Sequence, residues 1–307
     1  MTVAPGRHLA LVGATASGKS ALALELARRK PDFDLVSVDA MQVYRGMDIG
    51  TAKPSPAQRA EIHHHLLDVA DPDEDFSAAR FQSAARTTLA EIEARGRRAV
   101  LVGGTGLYVR AVVDDLTLPG RYPEARAEVE AEGDTPALYR RLGELDPVAA
   151  ARMEASNRRR LVRALEVTIG SGRPFSSFGP GLAAYPPTPI TQVGLHLDPD
   201  LLDARIAARL RVMLDAGFLD EVRRLASRPA GLSRTARQAL GYRELLSHIE
   251  DGIALEDAVA ETLRRTRRFA RRQLRWFRRD PRISWHDAGN NSLALLPPVL
   301  GDCQLCS

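Results

Sequence analysis

Residues 8–20, HLALVGATASGKS, constrain the fold more than any other stretch of this chain. Residues 9–12 are a short apolar run of the kind that forms a buried strand. Gly13-Ala14-Thr15-Ala16-Ser17-Gly18-Lys19-Ser20 satisfies G-x-x-x-x-G-K-[ST] in full. Residues 21–29 follow with strong helix formers and no breaker. Strand, glycine-bounded loop and helix is the setting in which this pattern binds phosphate. Backbone N–H groups ring the anion at a helix N-terminus, where the macrodipole favours negative charge. Lys19 is expected to reach the terminal phosphate and the Ser20 hydroxyl to ligate Mg²⁺. A chance glycine-rich turn would leave both flanks unexplained. The loop predicts a bound di- or triphosphate, but neither its identity nor its fate.

The 307 residues, 44% of them hydrophobic, can hold one large domain or two smaller ones around a real core. No run approaches a membrane span and the N-terminus lacks a basic-then-apolar signal pattern, so a soluble, cytoplasmic protein without membrane partners is expected. Cys303 and Cys306 form one C-x-x-C near the chain end. With no partner pair, a frayed tail is favoured over half a zinc site. The net charge of +4 conceals a concentration: residues 264–279, RRTRRFARRQLRWFRR, hold nine Arg and no acid, leaving −5 on the remainder. Local basicity of this kind points to a specific polyanion. Only Lys19, Lys30 and Lys53 interrupt the Arg bias. Lys19 and Lys53 therefore stand out as places wanting a compact ammonium rather than a planar fork; Lys30, before Pro31, reads as a solvated helix end.

A second short strand over 34–38 delivers Asp39 at its carboxyl end. In open α/β sheets that is where the ligand crevice lies, so Asp39 and the phosphate loop are expected to share it. Capping a turn is the plainer alternative for Asp39. Residues 40–54 have no clean period and read as an ordered loop. His63-His64-His65 resembles a metal cluster, but three consecutive side chains cannot face one ion in regular structure; polar loop residues are expected. Ser77 is placed to cap a helix over 78–95, ended by Gly96. Residues 98–102 form another buried strand, followed by Gly103-Gly104-Thr105-Gly106. Many P-loop ATPases carry a Mg²⁺-supporting Asp after such a strand; here glycines and Thr105 replace it. That lowers the case for an ordinary NTPase and favours a diphosphate that leaves.

From about 115 to 189 the pattern turns helical (123–132, 136–144, 147–154, 157–169), with no convincing strand, and closes on a Pro/Gly/Ser-rich segment. The expectation is a P-loop kinase-like parallel α/β core, residues 1–114 and 190–285, with a mostly helical insertion over 115–189 and a flexible tail over 286–307. The core resumes with a strand at 190–197, helices at 199–215 and 218–227, and a long helix from about Leu255. On it Leu263, Thr266, Ala270, Leu274 and Phe277 make one stripe. The arginines, with Phe269 and Trp276, take the other faces, presented to something negative or laced to acidic neighbours.

Together GATASGKS, SVDAMQVYRGMDIGTAKP, HHLLDV, LVGGTGLYVRA, NRRRLVRALEV, ALGYREL and TRRFARRQLRWFRR resemble the tRNA dimethylallyltransferase (tRNA isopentenyltransferase, IPP transferase) family, in order, over about residues 8–280. Ala14 and Ala40 stand where the family more often has Pro and Ser. The resemblance implies transfer of the dimethylallyl group of dimethylallyl diphosphate to N6 of adenosine 37, beside the tRNA anticodon, with Mg²⁺ as cofactor. It implies Asp39 as the base taking the N6 proton and Thr105 as its neighbour at the reacting centre. Residues 13–20 and Arg209 would hold the diphosphate. Asp39, Ala40, Met41, Gln42, Thr105, Arg126, Arg159, Arg160, Leu161, Val162, Arg163 and Arg243 would meet the tRNA, with the insertion as an arm on the anticodon stem. A monomer is expected. The competing readings are an adenylate dimethylallyltransferase acting on free AMP or ATP, a small-molecule P-loop kinase, and a non-catalytic RNA-binding module. The first has little need for the insertion or the arginine helix, and the last leaves the phosphate loop unexplained.

Overall fold

The computed structural model describes residues 8–289 and 291–302. By compactness these divide into two units, one formed by the residues up to Val113 with those from Pro187 onward, the other by Asp114–Pro186.

In the first unit β1 (His8–Gly13) is buried along its whole length and runs through the phosphate loop into α1 (Lys19–Arg29). β2 (Phe33–Ser37) follows, then α2 (Pro56–Glu61), begun by a capping box in which Ser55 and Gln58 satisfy each other's backbone N–H groups. β3 (His64–His65) is a two-residue strand where a loop was expected. α3 (Ala78–Ala94) starts on Ser77, whose Oγ accepts from the Arg80 N–H at 3.2 Å. β4 (Arg98–Gly103) and α4 (Gly106–Val113) complete the first half.

The second unit packs α5 (Pro123–Ala131), α6 (Thr135–Leu145), α7 (Pro147–Ala151) and α8 (Arg158–Ser171) around a small core of its own, with Val129, Leu138, Leu142, Leu161 and Leu165 at its centre. Buried Glu166 binds Arg126 (3.3 Å) and Arg163 (2.7 Å), tying α5 to α8.

The chain returns to the first unit as β5 (Ile190–His196), α9 (Pro199–Asp215), α10 (Phe218–Ala226), α11 (Arg234–Arg237), α12 (Tyr242–Asp251), the long α13 (Leu255–Phe277) and β6 (Ile283–Asp287). The six strands form one parallel sheet in the order β3-β2-β4-β1-β5-β6. β1 lies inside it, which explains its unbroken apolar run. Alternation sends Leu9 and Leu11 to one face, against Leu22 and Leu26 of α1, and Ala10 and Val12 to the other, against Phe81 of α3 and Val109 of α4. Because every strand is parallel, the segments after β1, β2 and β4 emerge along the same sheet end.

The flexible tail expected from residue 286 is not what the described residues form. β6 extends to Asp287 on β5. Then a 3₁₀ turn (Ser292–Leu295) and α14 (Leu296–Asp302) bury Leu296 and Val299 in the cluster holding Leu22 and Leu26. Apolar contact with α1 supplies the order that local composition did not advertise. Cys303 and Cys306 lie outside the described residues. Among the described residues no helix is long and apolar enough to cross a membrane.

Candidate active site

The phosphate loop closes between β1 and α1, with Gly18 at φ +95° as the α1 N-cap, a left-handed conformation that glycine adopts without strain. Lys19 is buried and folded back over the loop; its Nζ donates to the Ala14 carbonyl at 2.6 Å and Ser17 Oγ at 3.4 Å. Burial pushes its pKa down to about 7; the Arg209 guanidinium pushes the same way and the Asp39 carboxylate opposes. Arg209, from α9, donates to Thr15 Oγ1 at 3.3 Å, and burial holds its own pKa below the usual arginine value against the pull of Asp39. Lys19, Arg209 and Asp39 thus feel one another's charge at the carboxyl end of the sheet. Ser20 is exposed in the first turn of α1.

Asp39 stands two residues beyond β2. Its Oδ1 accepts from the N–H groups of Met41 (2.8 Å) and Gln42 (3.4 Å), while Oδ2 accepts no hydrogen bond among the described residues. The expected turn cap and a free carboxylate oxygen therefore coexist in one side chain. The Ala40 N–H donates to Thr105 Oγ1 at 3.1 Å, which joins the loop after β2 to the loop after β4 and leaves the Thr105 hydroxyl proton available. Gln42 is committed within its loop: Oε1 accepts from Ser37 Oγ (2.7 Å) and Nε2 donates to the carbonyls of Thr51 (3.0 Å) and Ala52 (3.2 Å).

Other candidates separate. Lys53 is a buried staple. Its Nζ donates to the Tyr44 carbonyl (2.5 Å), Asp48 Oδ1 (2.7 Å) and Asp68 Oδ1 (2.5 Å), pinning the irregular loop that begins at Asp39. His65 Nε2 meets buried Asp34 at 3.0 Å and His64 Nδ1 meets the Ile62 carbonyl, while no metal-holding cluster occurs among the described residues. Arg159 and Arg160 are exposed at the start of α8, and Arg126 and Arg163 are held by Glu166. Leu161 and Val162 are buried in the second unit's core, so their side chains are not contact surface for RNA. Arg243 is exposed and donates to Gln238 Oε1 at 3.3 Å, with no bond to the phosphate loop.

Of the nine arginines in residues 264–279, five on α13 are paired with acids: Arg264 and Arg268 with Glu261, Arg265 with Glu244, and Arg267 and Arg271 with Asp203. Arg272, Arg275, Arg278 and Arg279 are exposed and have no acidic partner among the described residues. The buried stripe is wider than expected. It includes Gln273, and Trp276 also turns toward the core. Gln273 went unnoticed in the sequence: its Oε1 accepts from the Thr15 N–H at 2.9 Å and its Nε2 donates to the Gly104 carbonyl at 2.8 Å. A lone amide on the buried side of an arginine helix was the available signal.

The IPP transferase family model matches residues 42–280. The tRNA dimethylallyltransferase of Kineococcus radiotolerans is 50% identical over 304 residues, covering 95% of each chain. That of Bifidobacterium animalis subsp. lactis is 47% identical over 295 residues, covering 94% of this chain and 84% of the relative. The full-length tRNA isopentenylpyrophosphate transferase of Bacillus halodurans superposes with a TM-score of 0.71 at 36% identity, over 98% of this chain and 97% of that one. The corresponding Staphylococcus epidermidis enzyme gives 0.70 at 28% identity, over 97% and 99%. The chain belongs to the IPP transferase family, the tRNA dimethylallyltransferases.

Proposed function

We propose that this enzyme transfers the dimethylallyl group from dimethylallyl diphosphate to N6 of adenosine 37 in tRNA, giving N6-(dimethylallyl)adenosine and free diphosphate. The observation that carries this reading is the convergence of an anion cradle, a carboxylate with one free oxygen, and a hydroxyl tied to its neighbour at one end of the parallel sheet.

The new C–N bond forms as the prenyl C–O bond breaks, and the electrons of that bond leave on the diphosphate. The loop N–H groups, Lys19 and Arg209 receive the growing charge. Asp39 Oδ2 accepts the N6 proton, while Oδ1, held by two backbone N–H groups, fixes the carboxylate's direction. Thr105 accepts from Ala40 and is placed to orient the amine through its oxygen or the diphosphate through its own proton.

The exposed Ser20 hydroxyl, an oxygen donor in the first turn of α1 with no hydrogen-bond partner among the described residues, suits a hard divalent ion. Mg²⁺ held there would neutralise diphosphate charge. For the RNA, the free arginines Arg272, Arg275, Arg278 and Arg279, together with Arg159 and Arg160, are the side chains available to phosphates.

Labelled dimethylallyl diphosphate and Mg²⁺, offered with an anticodon stem-loop or with AMP, tests the proposal. Label should enter the stem-loop at the adenosine 3′ of the anticodon. Transfer to AMP alone would make the enzyme an adenylate prenyltransferase instead.

A further inference from the structure

We propose that Gln273 is a positioning residue for the reaction: one buried amide on α13 sets the spacing between the phosphate loop at Thr15 and the Thr105 loop at Gly104. The inference rests on the assignment of those loops to the diphosphate and the reacting centre.

Gln273 is 7% exposed and bridges segments 258 and 169 residues away in sequence. The bridge needs both halves of an amide. The Thr15 N–H requires an acceptor and the Gly104 carbonyl a donor, so only one orientation of the side chain satisfies both. Neither Glu nor Leu can replace it without leaving a buried group unmatched. The fit is built from the other side as well. A Cβ on Gly104 would lie 2.2 Å from Gln273 Nε2, and one on Gly106 would lie 2.2 Å from Trp276 Nε1. Gln273 and Trp276 are one turn apart, so α13 presses a matched pair against the two glycines that flank Thr105. Thr105 in turn holds the Ala40 N–H beside Asp39. The distance between the leaving-group cradle and the base is thus set by a side chain whose two amide atoms are both committed to backbone. The Thr15 N–H is already committed to Gln273, so the loop is shaped by the protein and not by its ligand.

The test compares wild type with Gln273→Met, which keeps volume and removes both bonds, and Gln273→Glu, which keeps the acceptor and sets a carboxylate oxygen against the Gly104 carbonyl. Gly104→Ala displaces the amide from the opposite side and supplies the measurement should the Gln273 variants fail to fold. For each folded protein, single-turnover transfer to the stem-loop at saturating substrates is measured beside stem-loop affinity and thermal midpoint. The expected result is a 10- to 100-fold slower single turnover, with stem-loop affinity within threefold of wild type. A single-turnover rate within threefold of wild type, with only a lowered thermal midpoint, would show that the bridge is structural and overturn the proposal. Failure of the wild-type protein itself to prenylate the stem-loop would count against the functional reading and not against the bridge.

Discussion

If the loop holds the diphosphate as proposed, Lys19 is expected to couple its binding to proton uptake. Its pKa falls to about 7 from the ordinary lysine value of 10.5 because the ammonium is buried beside Arg209. Near pH 8 a group with that pKa is only about 10% protonated in the ligand-free enzyme. A diphosphate in the loop pairs with the ammonium and restores its proton, so binding near pH 8 is expected to take up about 0.9 proton. Phosphate esters lose their last proton at about pH 6, so the ligand contributes little of this. Affinity should then fall about tenfold per pH unit above neutrality, roughly 100-fold or about 2.7 kcal/mol across two units. Titration calorimetry with the unreactive dimethylallyl thiodiphosphate, in HEPES and in Tris, reads the uptake directly from the difference in heats. The ligand-free stability follows the same linkage. Between about pH 7 and 10.5 the unfolded chain keeps a proton that the folded chain has lost, so this group makes stability rise with pH. Proton uptake below about 0.2, with a flat dissociation constant between pH 7.5 and 9.5, would refute the buried-ammonium account.

Asp39→Ala should slow single-turnover transfer by about 10²–10⁴-fold while stem-loop affinity stays within a few fold; full single-turnover activity with a large affinity loss would remove Asp39 from the base role. Replacing Arg272, Arg275, Arg278 and Arg279 with Gln should reduce the slope of log affinity against log salt by about 3, whereas the same change at Arg264, Arg265 and Arg268, already paired with acids, should barely alter it. Lys53→Met removes the ammonium from the Tyr44 carbonyl, Asp48 and Asp68, leaving Asp68 only its bond from Arg59. Because Asp48 and Asp68 are partly exposed the cost is about 3 kcal/mol, or roughly 6–12 °C in melting temperature by scanning calorimetry. Burial alone would raise the Asp68 carboxyl, but the bonds from Lys53 and Arg59 outweigh it and hold its pKa low. Wild type should therefore keep this stabilisation above about pH 4 and lose it as pH falls further, a loss that should shrink in Lys53→Met, where Arg59 alone still holds Asp68.

The sheet centre and the strand ends that carry the candidate site were legible because local signals agreed there. An unbroken apolar strand, a glycine-bounded loop and an uninterrupted helix former run mark β1, the phosphate loop and α1, and Ser77 announces α3. β6 was hidden because ISWHD carries little apolar content, and its order comes from pairing with β5. The turn and helix after Asn291 were hidden for a related reason: Leu296 and Val299 signify little until α1 offers them a surface. Within the site, Asp39 and Thr105 could be placed from strand ends. Gln273 could not, since its meaning depends on Thr15 and Gly104, 258 and 169 residues away. Leu161 and Val162 show the converse, for a segment whose arginines face outward also supplies a hydrophobic core between them.

Thr188 Oγ1 donates to the carbonyl of Val113 at 2.9 Å, so the end of α4 and the segment leading into β5 are joined by a hydrogen bond across 75 residues of sequence. Topologically, the second unit is a loop of sequence whose two ends return to one place in the first. The entropy of closing such a loop grows only with the logarithm of its length. Turns can therefore be added to or trimmed from the insertion while β4, β1 and β5 keep their register. Selection can therefore change the length of the second unit without disturbing the sheet end that carries Asp39, Thr105 and the phosphate loop.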